Sequence, residues 1–348
     1  MRILIATVQV PFVRGGAEIL AEGLLHALRA QGHEADVVAV PFQWSPPERV
    51  LEHMLACHLL DITESCGAPI DLVIGLKFPA YLLPHPNKVL WLVHQFRTAY
   101  DLWGHAIGDL NRFPNGSQVC EAVRIVDQRL IPEAKGVFTI SKNVSGRLWR
   151  YCGIESVPLY HPPAHPERFY TAPAEDYFFF PSRLAPLKRQ ALVLEALART
   201  RQRVRVCFGG AAEDPRYAQE LVRMAHKLRV HRRIAWLGYM TEEEKRSLYA
   251  HALGVIFPPV DEDYGYVTLE AMLASKPVVS CTDSGGPLEF IREGEVGLLA
   301  EPTPEGLAAG MDRLWANRAQ AKALGEAGRK RYESLDISWY KVVERLLS

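Results

Sequence analysis

The sequence predicts an α/β protein of two domains, each with a doubly wound parallel sheet. Three observations carry that expectation. Short apolar runs alternate with helical patterns along nearly the whole chain, as parallel strands joined by helices require. The alternation breaks once, in the proline-rich and aperiodic stretch 161–173. The length of 348 residues then suits two domains of ordinary size. Domains are expected at 1–160 and 177–335, joined by a linker at 161–176. A C-terminal helix at 336–348 is placed to pack back on the first domain.

In the first half, 3–8 reads as a strand and 17–29 as an amphipathic helix stopped by Gly32. Further strands are expected at 35–40, 72–74, 89–92 and 137–140. Ser141 then suits the N-cap of a helix carrying Val144 and Leu148. After the linker, strands are expected at 177–180, 204–208, 234–237, 254–257, 278–281 and 297–299. The helices between them begin near Arg189, Pro215, Thr241, Gly265 and Pro287. Thr241 and Glu244 have the spacing of a capping box. The chain ends in helical segments, the last at about 337–347.

The bulk numbers exclude several classes. Lys plus Arg and Asp plus Glu are 40 each, so the formal charge is zero. Nucleic-acid binders usually show a basic excess, and strong whole-protein attraction to anionic lipid needs one too. The six cysteines form no C-x-x-C pair, which speaks against zinc and for scattered reduced thiols in the cytoplasm. The chain opens directly on a strand and reads as having no signal peptide. No apolar run reaches the roughly 18 residues that span a bilayer.

The most informative segment is Glu262-Asp-Tyr-Gly-Tyr-Val-Thr-Leu-Glu270, followed by Ala271-Met272. Gly265 suits close approach of backbone to a ligand, and a helix starts after it. A helix start offers free N–H groups to a sugar or phosphate oxygen. Glu270 is expected about two turns into that helix. Two carboxylates around such a start can hold two hydroxyl-rich parts of one ligand. Solvated acids on an ordinary loop and helix are the alternative.

This segment resembles the signature of the retaining glycosyltransferases of family 4, a Glu, seven residues and a second Glu. The match is Glu262, Tyr264, Gly265, Glu270, Ala271 and Met272, with Asp263 departing from the small residue usual there. The resemblance covers nearly the whole chain. It implies the GT-B architecture, two Rossmann-like domains facing across a cleft, and strand ends of open parallel sheets are where such folds bind ligands. It also implies a hexosyltransferase that needs no metal and no cofactor beyond its nucleoside diphosphate sugar.

The remaining candidates follow from the same resemblance. Gly15-Gly16, between the first strand and first helix, resembles the family's Gly-Gly-Ala-Glu start, here ending at Glu18. It would approach a diphosphate. Arg183 and Lys188 follow the first strand of the second domain and match the cations that stabilise a leaving diphosphate. Backbone at Gly238, Tyr239 and Met240 is implied to read the base, with Trp236 read as core. Glu262 would orient sugar hydroxyls and Glu270 the ribose, with Tyr264, Gly265 and Tyr266 lining the donor between them. His94, at the end of its strand, is implied to reach the cleft. The loop 284–289 is read as structural or donor-contacting alike, and Gly209-Gly210 as a structural turn. Phe96, Tyr100 and Trp103 suit either an acceptor platform or the core. His161 and His165 read as linker residues, since prolines separate them from a common helix face.

Asp261-Glu262-Asp263 is formally D-x-D, the metal motif of the GT-A fold. That fold is a single domain, and Arg183 and Lys188 stand where the metal would act, so the match is read as accidental. Two other functions share the fold or the ligand: a sugar-nucleotide 2-epimerase, and a non-catalytic sugar-nucleotide-binding subunit. The expected partners are a nucleoside diphosphate sugar and a glycan, lipid-linked or small-molecule acceptor, as in polysaccharide or glycolipid assembly. No nucleic acid is expected. The expected location is the cytoplasm, with peripheral contact at the inner face of a membrane.

Overall fold

The computed structural model describes residues 1–12 and 15–348. The chain divides into two compact units, Met1–Ala164 with Ser338–Ser348, and His165–Ile337.

The first unit contains β1 (Arg2–Gln9), α1 (Gly16–Ala30), β2 (Glu34–Pro41), α2 (Glu48–Leu59), a minor pair β3 (Glu64–Ser65) and β4 (Ala68–Pro69), then β5 (Leu72–Lys77) and β6 (Lys88–His94). It continues through α3 (Gly116–Leu130), β7 (Gly136–Thr139), α4 (Lys142–Cys152) and β8 (Val157–Pro158). The main sheet has the order β2-β1-β5-β6-β7-β8, with every adjacent pair parallel. Strands β5 and β6 are apolar along almost their whole length because helices cover both faces. Ser141 caps α4 by accepting from the Val144 N–H at 3.0 Å, and the helix stops at Gly153, whose φ is +68°.

The second unit holds β9 (Phe178–Pro181), α5 (Gln190–Arg199), β10 (Val206–Gly209), α6 (Pro215–Lys227), β11 (Ile234–Gly238), α7 (Glu242–His251) and β12 (Gly254–Ile256). It continues with α8 (Tyr266–Leu273), β13 (Val278–Cys281), β14 (Gly297–Ala300), α9 (Pro304–Ala316) and α10 (Arg318–Leu335). Its sheet runs β11-β10-β9-β12-β13-β14, again parallel throughout. The chain starts at the centre, winds out to β11, then crosses to β12. The switch point therefore lies between β9 and β12. Phe178, Phe179 and Phe180 of β9 are all fully buried, and each stabilises the unit by about 1.5–3 kcal/mol. Thr241 and Glu244 close the capping box of α7 reciprocally, at 3.2 and 2.8 Å.

The last helix, α11 (Trp339–Leu347), belongs to the first unit. It docks where Gly23 leaves room on α1: a Cβ there would stand 2.3 Å from the Trp339 ring. His161 is fully buried beside Trp91 and Trp339, with ring centroids 5.3 and 5.9 Å away.

The structure adds β3, β4, β8, α2 and α3 to the elements expected from the sequence, and it departs from that reading in three further places. Residues 165–176, expected as linker, pack on the second unit: Phe169 is buried, Ala172 N–H donates to Ala250, and Thr171 Oγ1 donates to the Ala274 carbonyl. Prolines interrupt periodicity without preventing burial. The helix expected near Pro287 is a four-residue 3₁₀ turn, Gly286–Glu289, since the chain must soon turn into β14. Glu270 is the fifth residue of α8, little more than one turn in, because the helix starts only at Tyr266.

Candidate functional site

Of the expected site residues, Gly15, Gly16 and His94 lie in the first unit and the others in the second. Within the second unit, three loops leave the carboxyl ends of the neighbouring strands β9, β12 and β13 and are tied together. Val260 N–H donates to the Leu187 carbonyl at 2.8 Å, and Asp261 N–H to the Asp283 carbonyl at 3.0 Å. This is the switch point of the sheet, where open α/β folds bind ligands.

The loop after β9 presents two cations in different settings. Lys188 is half-buried, forms an ion pair with Glu262, and stands 5.7 Å from the centre of the Phe257 ring. Arg183 is exposed and pairs with Glu213 at 2.5 Å. Two residues not singled out from sequence fix this loop. Gln190 is fully buried and its amide donates to the Arg183 carbonyl at 2.8 Å. Arg189, at a φ of +60°, makes a bidentate pair with Asp283 at 2.7 and 2.6 Å; that pairing raises the guanidinium pKa further.

Glu262 is held by its backbone as well. Its N–H donates to Ser284 at 2.9 Å, and its carbonyl accepts from Gly286 N–H at 2.7 Å. Gly286 is needed for this approach, since a Cβ would stand 2.7 Å from the Asp263 carbonyl oxygen. The loop 284–289 thus clamps Glu262, and of its two readings the structural one is visible. Asp261 and Asp263 flank Glu262, but among the described residues no three His, Cys, Asp or Glu side chains are grouped as a metal site would need.

Gly265 caps α8 with a φ of +85°, and a Cβ there would meet Pro287 at 2.7 Å. Glu270 is buried on the far side of that turn. Its carboxylate accepts from Lys245 Nζ at 3.0 Å and from Tyr249 Oη at 2.7 Å. Burial opposes charge on Lys245, but Glu270 and Glu242 outweigh it and raise its pKa. Burial and the Glu270 carboxylate hold the Tyr249 and Tyr266 phenols well above their usual range. Lys245 and Tyr249 escaped the sequence reading, although their spacing of four on α7 puts them on one helix face. Tyr264 is buried edge-on against Tyr266 and Phe290, at 5.4 and 5.5 Å.

At the ends of β10 and β11, Gly210 N–H donates to the Gly238 carbonyl at 2.8 Å. Gly238 has a φ of +66°, Tyr239 is exposed, and Met240 lies against Gly209. Trp236 stacks on Phe208 at 4.6 Å, as core packing implies.

In the first unit, Gly15 caps α1 and its N–H donates to Glu18 Oε2 at 2.7 Å. Lys77, at the end of β5, stands 3.8 Å from the same carboxylate. His94 ends β6, with Nδ1 2.6 Å from the Gln95 carbonyl. Tyr100 is buried and donates to Asp127 at 2.8 Å, and Phe96 stacks on Phe78 at 5.1 Å. Both therefore serve the core, as does Trp103 packed at its edge. Burial raises the Asp127 carboxyl to about 7 against the pull of Tyr81, Tyr100 and Gln95.

Residues 166–331 match the family described as Glycosyl transferases group 1, a span that is nearly all of the second unit. The second unit is a glycosyl transferases group 1 domain. The chain is 29% identical over 179 residues to the alpha-1,3/1,6-mannosyltransferase ALG2 of Homo sapiens, covering 46% of this chain and 43% of that protein. Among the three mannosyltransferase relatives of this kind, the match spans 28% to 43% of their length. Two solved structures are similar over the full chain. Sucrose-phosphate synthase from Thermosynechococcus elongatus has a TM-score of 0.76 at 19% identity, covering 99% of this chain and 96% of its own. Anabaena Alr3699/HepE in complex with UDP-glucose has a TM-score of 0.73 at 18% identity, covering 100% and 98%. With the group 1 domain as the second of two Rossmann-like units, the architecture is GT-B.

Proposed function

We propose that the protein is a retaining glycosyltransferase that moves a sugar from a nucleoside diphosphate sugar to an acceptor hydroxyl. The observation that carries this reading is the Lys188–Glu262 pair at the switch point, beside a glycine-started helix that carries Glu270. A cation and a carboxylate in contact suit the two halves of one donor, the diphosphate and the sugar. The similar Alr3699/HepE is described with UDP-glucose, and the relatives include mannosyltransferases, which supports a role in glycan or glycolipid assembly.

In this reading Arg183, Lys188 and nearby backbone N–H groups stabilise charge on the departing diphosphate, an electrostatic term that grows as the bond breaks. Glu262 orients sugar hydroxyls. Glu270, held by Lys245 and Tyr249, takes the ribose hydroxyls. Gly238, Tyr239 and Met240 line the base, with Tyr264, Gly265 and Tyr266 beside the donor. Gly15, Gly16 and His94 of the first unit act on the sugar and its phosphates. The departing phosphate takes the acceptor proton on the same face, so configuration is retained. The cations replace a metal, and no cofactor is required.

Calorimetry against UDP, GDP and ADP, then their sugars, tests the reading. One nucleotide should bind with and without chelator. Failure of all three, or binding that vanishes on chelation and returns with manganese, contradicts it.

A further inference from the structure

We propose that the amino edge of the second sheet docks the protein onto bilayers rich in acidic phospholipid. The chain has no net charge, yet its cations are not spread evenly. Arg203 and Arg205 lead into β10, and Arg229 and Arg232 lead into β11. These strands are parallel neighbours with Val206 opposite Ile234, so both loops emerge at one end of the sheet. Arg223 and Lys227 lie on the final turns of α6, which feeds the second loop. All six side chains are exposed, and none forms an ion pair among the described residues. At the opposite edge, by contrast, Arg183, Lys188 and Arg189 each hold a carboxylate.

A small anion fits this edge poorly. The cavity there, about 610 Å³, is lined by Arg205, Arg232 and Arg233 but also by Glu175 and Asp176. Arg233 is already committed to the Leu197 carbonyl and Thr200. Of the six free cations, Arg205 and Arg232 line that cavity, while Arg203, Arg223, Lys227 and Arg229 are exposed outside its lining, a spread that suits a broad anionic surface. Such a surface attracts each nearby Arg or Lys, and the attraction fades within a Debye length. Single-stranded nucleic acid is disfavoured because segments 199–205 and 223–233 contain no Phe, Tyr or Trp on which bases could stack. Their two imidazoles, His226 and His231, stack on each other at 4.3 Å. The proposed donor loops leave the opposite edge of this sheet, so docking here does not cover them.

The test is cosedimentation with phosphatidylcholine vesicles, with and without phosphatidylglycerol. The wild type should bind only the anionic vesicles and leave them at high salt. Arg203→Ser, Arg205→Ser and Arg232→Ser together should weaken binding about 100-fold, at about 1 kcal/mol per cation. The triple Lys variant at the same positions should bind like the wild type, since charge is what matters. An unchanged unfolding temperature verifies that the serine variant is folded. The proposal falls if the wild type shows no preference for anionic vesicles, or if the folded serine variant binds as tightly. It also falls if duplex RNA at equal phosphate concentration strips the protein from the vesicles, which would make this a nucleic-acid surface.

Discussion

Lys188 and Glu262 form an ion pair across two loops that leave neighbouring strands. Each is assigned to a different half of the donor, so the pair must loosen or be shared when the diphosphate arrives. Removing the carboxylate therefore frees the cation. Glu262→Gln should tighten the free nucleoside diphosphate by up to about fivefold, the scale of a partly exposed pair, while weakening the sugar-bearing donor. Lys188→Ala should lower turnover on the order of 100-fold to 1,000-fold. Calorimetry and initial rates read both effects. Equal losses on nucleotide and donor from both variants would refute the division of labour.

Glu270 is a different kind of carboxylate, buried and doubly bonded by Lys245 and Tyr249. Tyr249→Phe removes one bond to a charged acceptor, worth about 1.5–3 kcal/mol. Free nucleotide and full donor should lose affinity in parallel, because both carry the ribose. The same parallel loss is expected for Glu270→Gln. A variant that binds nucleotide normally while losing only the sugar donor would move Glu270 out of the ribose role.

Gly286→Ala tests the clamp on Glu262. The added Cβ meets backbone, 2.7 Å from the Asp263 oxygen, so no flexible side chain can give way. The loop must shift and the Gly286–Glu262 hydrogen bond must lengthen. Misplacing a reacting group by about 1 Å costs about 100-fold in rate. Turnover should fall by that order with the fold intact by circular dichroism. Wild-type turnover would show that the clamp does not position Glu262.

His161 predicts an acid-sensitive first unit. Burial between Trp91 and Trp339 pushes its pKa down to about 3. The fold keeps the ring neutral, whereas the unfolded chain takes up a proton below about 6.5. The stability contributed is complete above pH 6.5 and is lost as pH falls toward 3. At pH 5 the loss is about 2 kcal/mol. Urea unfolding of the wild type at pH 7 and 5 should show that drop, and His161→Gln should lack it. Matching pH slopes for the two proteins would contradict the assignment.

Most strands were legible in the sequence because parallel strands buried on both faces read as short apolar runs, Phe178–Pro181 being the plainest, whereas the two-residue strands β3, β4 and β8 are too short to show a pattern. Caps were legible too: Ser141, Thr241 and Gly265 stand where their chemistry demands. What stayed hidden depends on tertiary contact. Nothing local marks 165–176 as packed, because its prolines hide the burial of Phe169. The partners of Glu270 lie more than 20 residues away on α7, and Arg189 looked only like a helix start until Asp283 met it. The amino-edge cations were invisible in a net charge of zero. Motifs with fixed local spacing, such as Glu262 to Glu270, survive into the sequence; networks closed by distant loops do not.

The central claim is transfer with retention from a nucleoside diphosphate sugar, and the anomeric configuration of the product tests it most directly. The nucleotide that binds in calorimetry sets the donor, presented as its α-linked sugar. Nuclear magnetic resonance then reads the product before any anomeric equilibration. An α-linked product that disappears in Lys188→Ala is the predicted result. A β-linked product, or an epimerised nucleotide sugar formed with no acceptor present, would contradict the account.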